Sequence, residues 1–227
     1  MYNLTLFCTR HGEAGNCNIF ELYKIIVELK PEIIFEEIPP CLFEEHYQNV
    51  PKDKLESNAI KLYMTDHNIN HIPVDLDIIM PQSFWDNHRY MFNKIEKISS
   101  EFCKLCDYDS QYVRQYGFNY LNSIYSDHNN KDKYKEMEAT LNKLNDSKLF
   151  EIFVSWNKII EKRENEMIKN IYNYCRENTF ERGIFFIGAA HRESIIEKIK
   201  KIVEIEELEI KWNYFEYGNN NIHLIQI

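Results

Sequence analysis

Glycine and proline are scarce, with 6 of each in 227 residues. That scarcity excludes collagen-like and low-complexity chains, and a 44% hydrophobic content excludes a disordered one. Cationic clusters are missing too. The formal net charge is −9, and no Lys/Arg block stands alone as a patch. A nucleic-acid backbone, whose binding rests on cation contacts, is therefore not an expected partner. No apolar run approaches the roughly 18 residues that span a bilayer, so no membrane partner is expected. The opening MYNLTLFCTRHGE lacks a basic n-region and a small-residue cleavage site, which argues against a signal peptide. Cys8, Cys17, Cys41, Cys103, Cys106 and Cys175 do not form a secreted disulfide pattern. Cys103-Lys-Leu-Cys106 is a CxxC without a second pair, in a helical stretch, and reads as helix packing rather than a redox or zinc site. The expectation is reduced thiols in a cytoplasmic protein.

What is present is enough apolar residue for one sizeable core, in a pattern that alternates strands and helices. NLTLFCT (3–9) reads as a strand, 17–30 as an amphipathic helix with Ile19, Leu22, Ile25, Ile26 and Leu29 on one face, and EIIFEEI (32–38) as a second strand. This is a β-α-β unit, the usual route to parallel strands. A helix near 54–67 and a strand at 68–78 follow. Segments 82–107 and 131–178 are helical, joined by a polar linker at Ser126-Asp127-His128-Asn129-Asn130. GIFFIGA (183–189) is a strand whose continuous apolar run predicts burial on both faces. A helix at 191–203 and strands at 209–216 and 222–227, turning at 218–221, close the chain. The fold class is therefore α/β: a single domain over 1–227, with a mostly parallel central sheet flanked by helices and a helical insertion at about 82–178.

One echo carries the chemistry. FCTRHGE and FIGAAHRE each place a histidine, His11 and His191, at the C-terminal end of a buried strand. That edge is where open parallel sheets bind ligands. Glu36 and Glu37 end a third strand at the same edge, and alternation lets only one of them share a neighbour's face. Two imidazoles and a carboxylate suit a catalytic metal with an open position, and equally a metal-free general base oriented by a carboxylate. The remaining histidines, His46, His67, His71, His88, His128 and His223, are scattered. Of these only His88, beside Arg89, is kept as a secondary candidate. The aromatic residues read as core and groove lining rather than a base-stacking platform.

Two resemblances compete for these residues. Arg10-His11-Gly12-Glu13, followed by Asn18, resembles the opening of the histidine phosphatases, with His191 as the second histidine. That likeness implies a phosphoryl-accepting His11 surrounded by arginines, yet no arginine occurs between Arg10 and Arg89. The longer resemblance is to the TraB/Tiki and erythromycin-esterase-like superfamily. It rests on Cys8-Thr9-Arg10-His11-Gly12, Lys30-Pro31-Glu32-Ile33-Ile34-Phe35-Glu36-Glu37, Ile72-Pro73-Val74-Asp75 with Arg89, Glu161-Lys162-Arg163 before Met167, and Gly188-Ala189-Ala190-His191, in that order. Departures are Cys8 in place of glycine, Leu76 in place of arginine, and the residue interposed between Glu161 and Arg163. Cys8 is expected to crowd the backbone near His11.

That resemblance implies a hydrolase of the peptidase or esterase kind, acting on a peptide or small-molecule substrate. His11, Glu37 and His191 would bind a divalent metal (Mn, Co or Zn), or one histidine would act as a metal-free base. Arg163 or Arg89 would steady the oxyanion. Glu13, Glu36, Asp75, Arg10 and His88 are secondary candidates. Relatives that bind haem or another ligand without catalysis imply a non-enzymatic alternative.

Overall fold

The computed structural model describes residues 2–48, 50, 54–218 and 221–226, with 216–218 and 221–226 described as backbone. Its strands are β1 (Tyr2–Thr9), β2 (Ile33–Glu36), β3 (Asn70–Pro73), β4 (Arg182–Gly188), β5 (Ile210–Gly218) and β6 (Asn221–Gln226). They form one sheet in the order β3-β2-β4-β1-β5-β6. The first five in that order run parallel, and β6 returns antiparallel along β5. The α/β class with a mostly parallel sheet is thus observed. Of the closing segment, residues 219, 220 and 227 lie outside the described residues.

Both faces of the sheet are covered, as parallel strands require. Alternation along β1 and β4 sends Leu4, Leu6, Cys8, Phe185 and Ile187 to one face, against Met167, Ile168 and Ile171 of α8 (Ser147–Glu177) and Ile195 and Ile199 of α9 (Arg192–Val203). Phe7, Ile184 and Phe186 face the other way, onto α1 (Ile19–Leu29) and α3 (Leu55–Met64). The start of α1 is set by Asn18, whose side chain accepts from the Glu21 amide, and by Glu13, which accepts from the Ile19 amide at 2.9 Å. Cys8 sits in the core, and burial pushes its thiol pKa up to about 12.

Between β3 and β4 every regular element is helical: α4 (Gln82–Ile98), α5 (Ser100–Tyr116), α6 (Phe118–Leu121), α7 (Ile124–Leu144) and α8. A third apolar cluster, including Met91, Ile95, Phe102, Leu141 and Phe153, holds α4, α5, α7 and α8 together. Gly117 has φ +57°, and a Cβ there would lie 2.6 Å from the Asn16 carbonyl oxygen. Only glycine lets the α5–α6 corner press against the turn before α1.

Two expectations are corrected, and one helix is added. The polar linker at 126–130 is instead the first turns of α7, started by Ser123 as N-cap. Part of its polarity is buried and paired: Asp127 bonds Arg192, and Asn129 reaches the Leu105 carbonyl and Asp109. The strand expected at 68–78 is confined to Asn70–Pro73. After Pro73 the chain bends along the sheet's edge, where the Val74 and Asp75 amides donate to the Glu36 and Ile38 carbonyls. A further helix, α2 (Pro40–Gln48), follows β2 with proline as its first residue, a placement that proline's fixed φ favours.

β5 pairs with β1 only as far as Leu6, so Cys8 has no strand partner on that side. Asn122 takes its place: its side-chain oxygen accepts from the Cys8 amide at 2.7 Å and its nitrogen donates to the Cys8 carbonyl at 2.9 Å. Asn122→Ala leaves two buried backbone groups unpaired. Urea unfolding should show a loss of about 2–4 kcal/mol.

Candidate functional site

Strand parity separates the two glutamates. Glu36 shares the face of Ile34 and accepts from Tyr47 (2.5 Å), with His71 Nδ1 at 2.8 Å. Burial is the larger influence on its carboxyl, and those hydrogen bonds only partly offset it, so its pKa is raised. Glu37, one residue past β2, falls on the opposite face with α8.

There Glu37 meets Arg163. Arg163 Nη2 donates to Glu37 Oε1 at 2.6 Å and to Asp75 Oδ2 at 2.7 Å, while Nε is 3.1 Å from both Asp75 oxygens. The other Glu37 oxygen accepts from the Gly188 amide at 2.8 Å, at the end of β4. Burial pushes the Glu37 carboxyl up, but His191, Arg163 and that amide outweigh it and hold its pKa below the usual range. Among the described residues Arg163 Nη1 has no hydrogen-bond partner, and Arg163 lines the cavity described below.

His191 completes the cluster from the 3-10 turn Ala189–His191 that leads from β4 into α9. Its Nδ1 lies 2.7 Å from Glu164 Oε1 and its Nε2 3.5 Å from Glu37 Oε1. Glu164 is held in turn by the Ser194 hydroxyl at 2.6 Å, with Lys198 at 3.8 Å. Burial alone would lower the imidazole's pKa; the Glu37 charge and the Glu164 bond reverse this and raise it above the ordinary 6.5. Protonation of His191 therefore adds stability that is fully present below pH 6.5 and fades as pH rises through the raised folded-state value.

Glu37, Asp75, Arg163 and His191 line a cavity of about 750 Å³, together with Thr9, Arg10, His11 and residues of α4, α5, α7 and α8. That volume lies within the range of small-molecule sites. His11 stands at its rim, 70% exposed, with Nδ1 3.6 Å from Glu56 Oε1. The neighbouring Glu56 carboxylate is the main cause of its raised pKa.

The expected trio shares this cavity but not a ligand geometry. Among the described residues no group of three or more histidine, cysteine or carboxylate side chains is arranged to hold a metal ion. A guanidinium already supplies the positive charge beside Glu37. Arg163 and Asp75 join Glu37 and His191, and Arg10 lines the same cavity. Arg89 is exposed on α4 and is not among the residues that line the cavity. Glu13 is committed to the start of α1 and Glu36 to Tyr47 and His71. His88 stacks on Trp156 with centroids 3.5 Å apart, and burial pushes its pKa down to about 4.

Sequence reasoning missed Glu164 as a site residue. The signal was legible: on α8 it precedes Met167, Ile168 and Ile171 at spacings of three, four and seven, an acid within an apolar stripe. Comparison with known protein families, with curated proteins and with solved structures found no match.

Arg163→Met strips two buried carboxylates of their counter-charge. Stability at pH 7 should fall by about 3–5 kcal/mol in urea unfolding. The deficit should narrow below pH 5, as the unpaired acids take up protons.

Proposed function

We propose that this chain is a metal-free hydrolase of carboxylic esters or amides, of the TraB/Tiki and erythromycin-esterase-like kind, with His191 as general base. The observation that carries this reading is the bracketing of one imidazole by two carboxylates, at the cavity-facing edge of a parallel sheet. Glu164 accepts the Nδ1 proton, which makes Nε2 the free lone pair. An acceptor nitrogen 3.5 Å from an acceptor oxygen of Glu37 forms a seat for a water that donates to either or both.

In the forward step, His191 Nε2 removes a proton from that water as its oxygen attacks the substrate carbonyl. Glu37 orients the water and offsets the imidazolium charge as it forms. The unpaired Nη1 of Arg163 donates to the developing oxyanion, a role normally filled by preorganised donors. Collapse of the tetrahedral intermediate breaks the bond to the leaving group, which takes its proton from the imidazolium. Products are a carboxylic acid and an alcohol or amine. A base with a pKa raised from 6.5 towards the working pH suits this double duty.

Substrate panels of 4-nitrophenyl esters and aminoacyl amides test the reading. Turnover should persist after treatment with EDTA, and His191→Ala should lower kcat/KM by roughly 10²- to 10⁴-fold. The acidic limb of kcat/KM should sit above pH 6.5 and move to lower pH in Glu164→Gln, because the removed charge no longer stabilises the imidazolium. Equal turnover in wild type and His191→Ala overturns the assignment.

A further inference from the structure

The reacting cluster occupies only one end of the cavity. The wall beside it, made by the 76–80 segment, α4 and α8, is hydrocarbon: Ile78, Ile79, Phe84, Trp85, Trp156 and Ile160 all line it. Several of these leave their side chains open. Ile79 is 68% exposed and Trp85 42% exposed, and such surface contributes little to folding. Contiguous apolar exposure of this kind marks a binding surface.

The wall is also stiff. Trp156 lies against two α4 residues one helical turn apart, with Phe84 centred 5.4 Å away at 18° and His88 3.5 Å away at 24°. His88 stays neutral in this stack, because burial alone pushes its pKa down to about 4. Trp85 meets Trp156 at 74°, with centroids 6.0 Å apart, so the two indoles form a right-angled corner. A corner held this way receives a flat ring without first losing side-chain freedom. The lining contributed by α5 and α7 includes Asp109, Ser110, Asn130 and Lys133. Asp109 and Lys133 neutralise each other at 3.3 Å.

Building on the hydrolase reading, we infer that the substrate is an uncharged ester or amide carrying a bulky, ring-bearing apolar group. That group seats in the Trp85–Trp156 corner, while the carbonyl reaches His191 and Arg163. The apolar group sets KM, and the cluster sets kcat.

Methyl 2-naphthoate and methyl acetate serve as probes, with naphthoate binding read from the ligand's own fluorescence. Wild type should bind the naphthoate and hydrolyse it with a KM at least tenfold below that of the acetate. Trp85→Ala should weaken naphthoate binding about tenfold or more and raise the naphthoate KM by a similar factor, with the circular-dichroism spectrum of the folded protein retained. His191→Ala should bind the naphthoate as wild type does, without turnover. Naphthoate binding unchanged in Trp85→Ala overturns this inference, whatever the hydrolase assays show. Trp85-dependent binding with no ester turned over upholds the ligand class and overturns the hydrolase reading alone.

Discussion

One guanidinium joins the two halves of this molecule. Arg163 comes from the middle of α8, the longest helix of the insertion, and its partners Asp75 and Glu37 come from the loops after β3 and β2. Both carboxylates are almost wholly buried, and neither has another cationic side chain as close. Without Arg163 the edge of the sheet would carry two unanswered charges, a situation that proteins avoid because each costs several kcal/mol. With it, the insertion is anchored over the edge where parallel strands present their ligand-binding groups. This anchor, together with Met167, Ile168 and Ile171 packed on the sheet, holds α8 beside the cavity.

Glu164 follows from the same anchor. Adjacent residues on a helix diverge by about 100°, so an Arg163 turned to Asp75 leaves Glu164 free to turn to α9. There it meets His191, Ser194 and Lys198. Two neighbouring residues of one helix thereby fix both members of the site: one orients the carboxylate, the other the imidazole. Charges balance across the set, with three carboxylates facing Arg163, Lys198 and a His191 whose proton is retained more tightly than usual.

Much of this was legible in the chain. The segments NLTLFCT and GIFFIGA gave the central strands, the second through a continuous apolar run that burial on both faces allows. The histidines that follow the two segments, His11 and His191, line one cavity at the sheet's C-terminal edge. Glu37 over Glu36 required strand parity, which the sequence could not settle until the faces were known: Ile34 and Glu36 turn towards α1 and α3, Phe35 and Glu37 towards α8. His11 lines the same cavity as Glu37 and His191, but the carboxylate beside it is Glu56, 45 positions away and hidden in an ordinary amphipathic helix. The Ser126–Asn130 stretch read as a linker because its composition is polar. Pairing with Arg192, Asp109 and a backbone carbonyl turns that polarity into the interior of a helix. In each case a long-range partner decided the outcome, and local pattern carries no information about such partners.

The account turns on the state of a single ring. Nitrogen-15 chemical shifts of His191, followed across pH in the intact protein, report both its tautomer and its affinity for protons without reference to any substrate. The account predicts a neutral form protonated at Nδ1, facing Glu164, and a titration midpoint above 6.5. A neutral form protonated at Nε2, or a midpoint at or below 6.5, would contradict it.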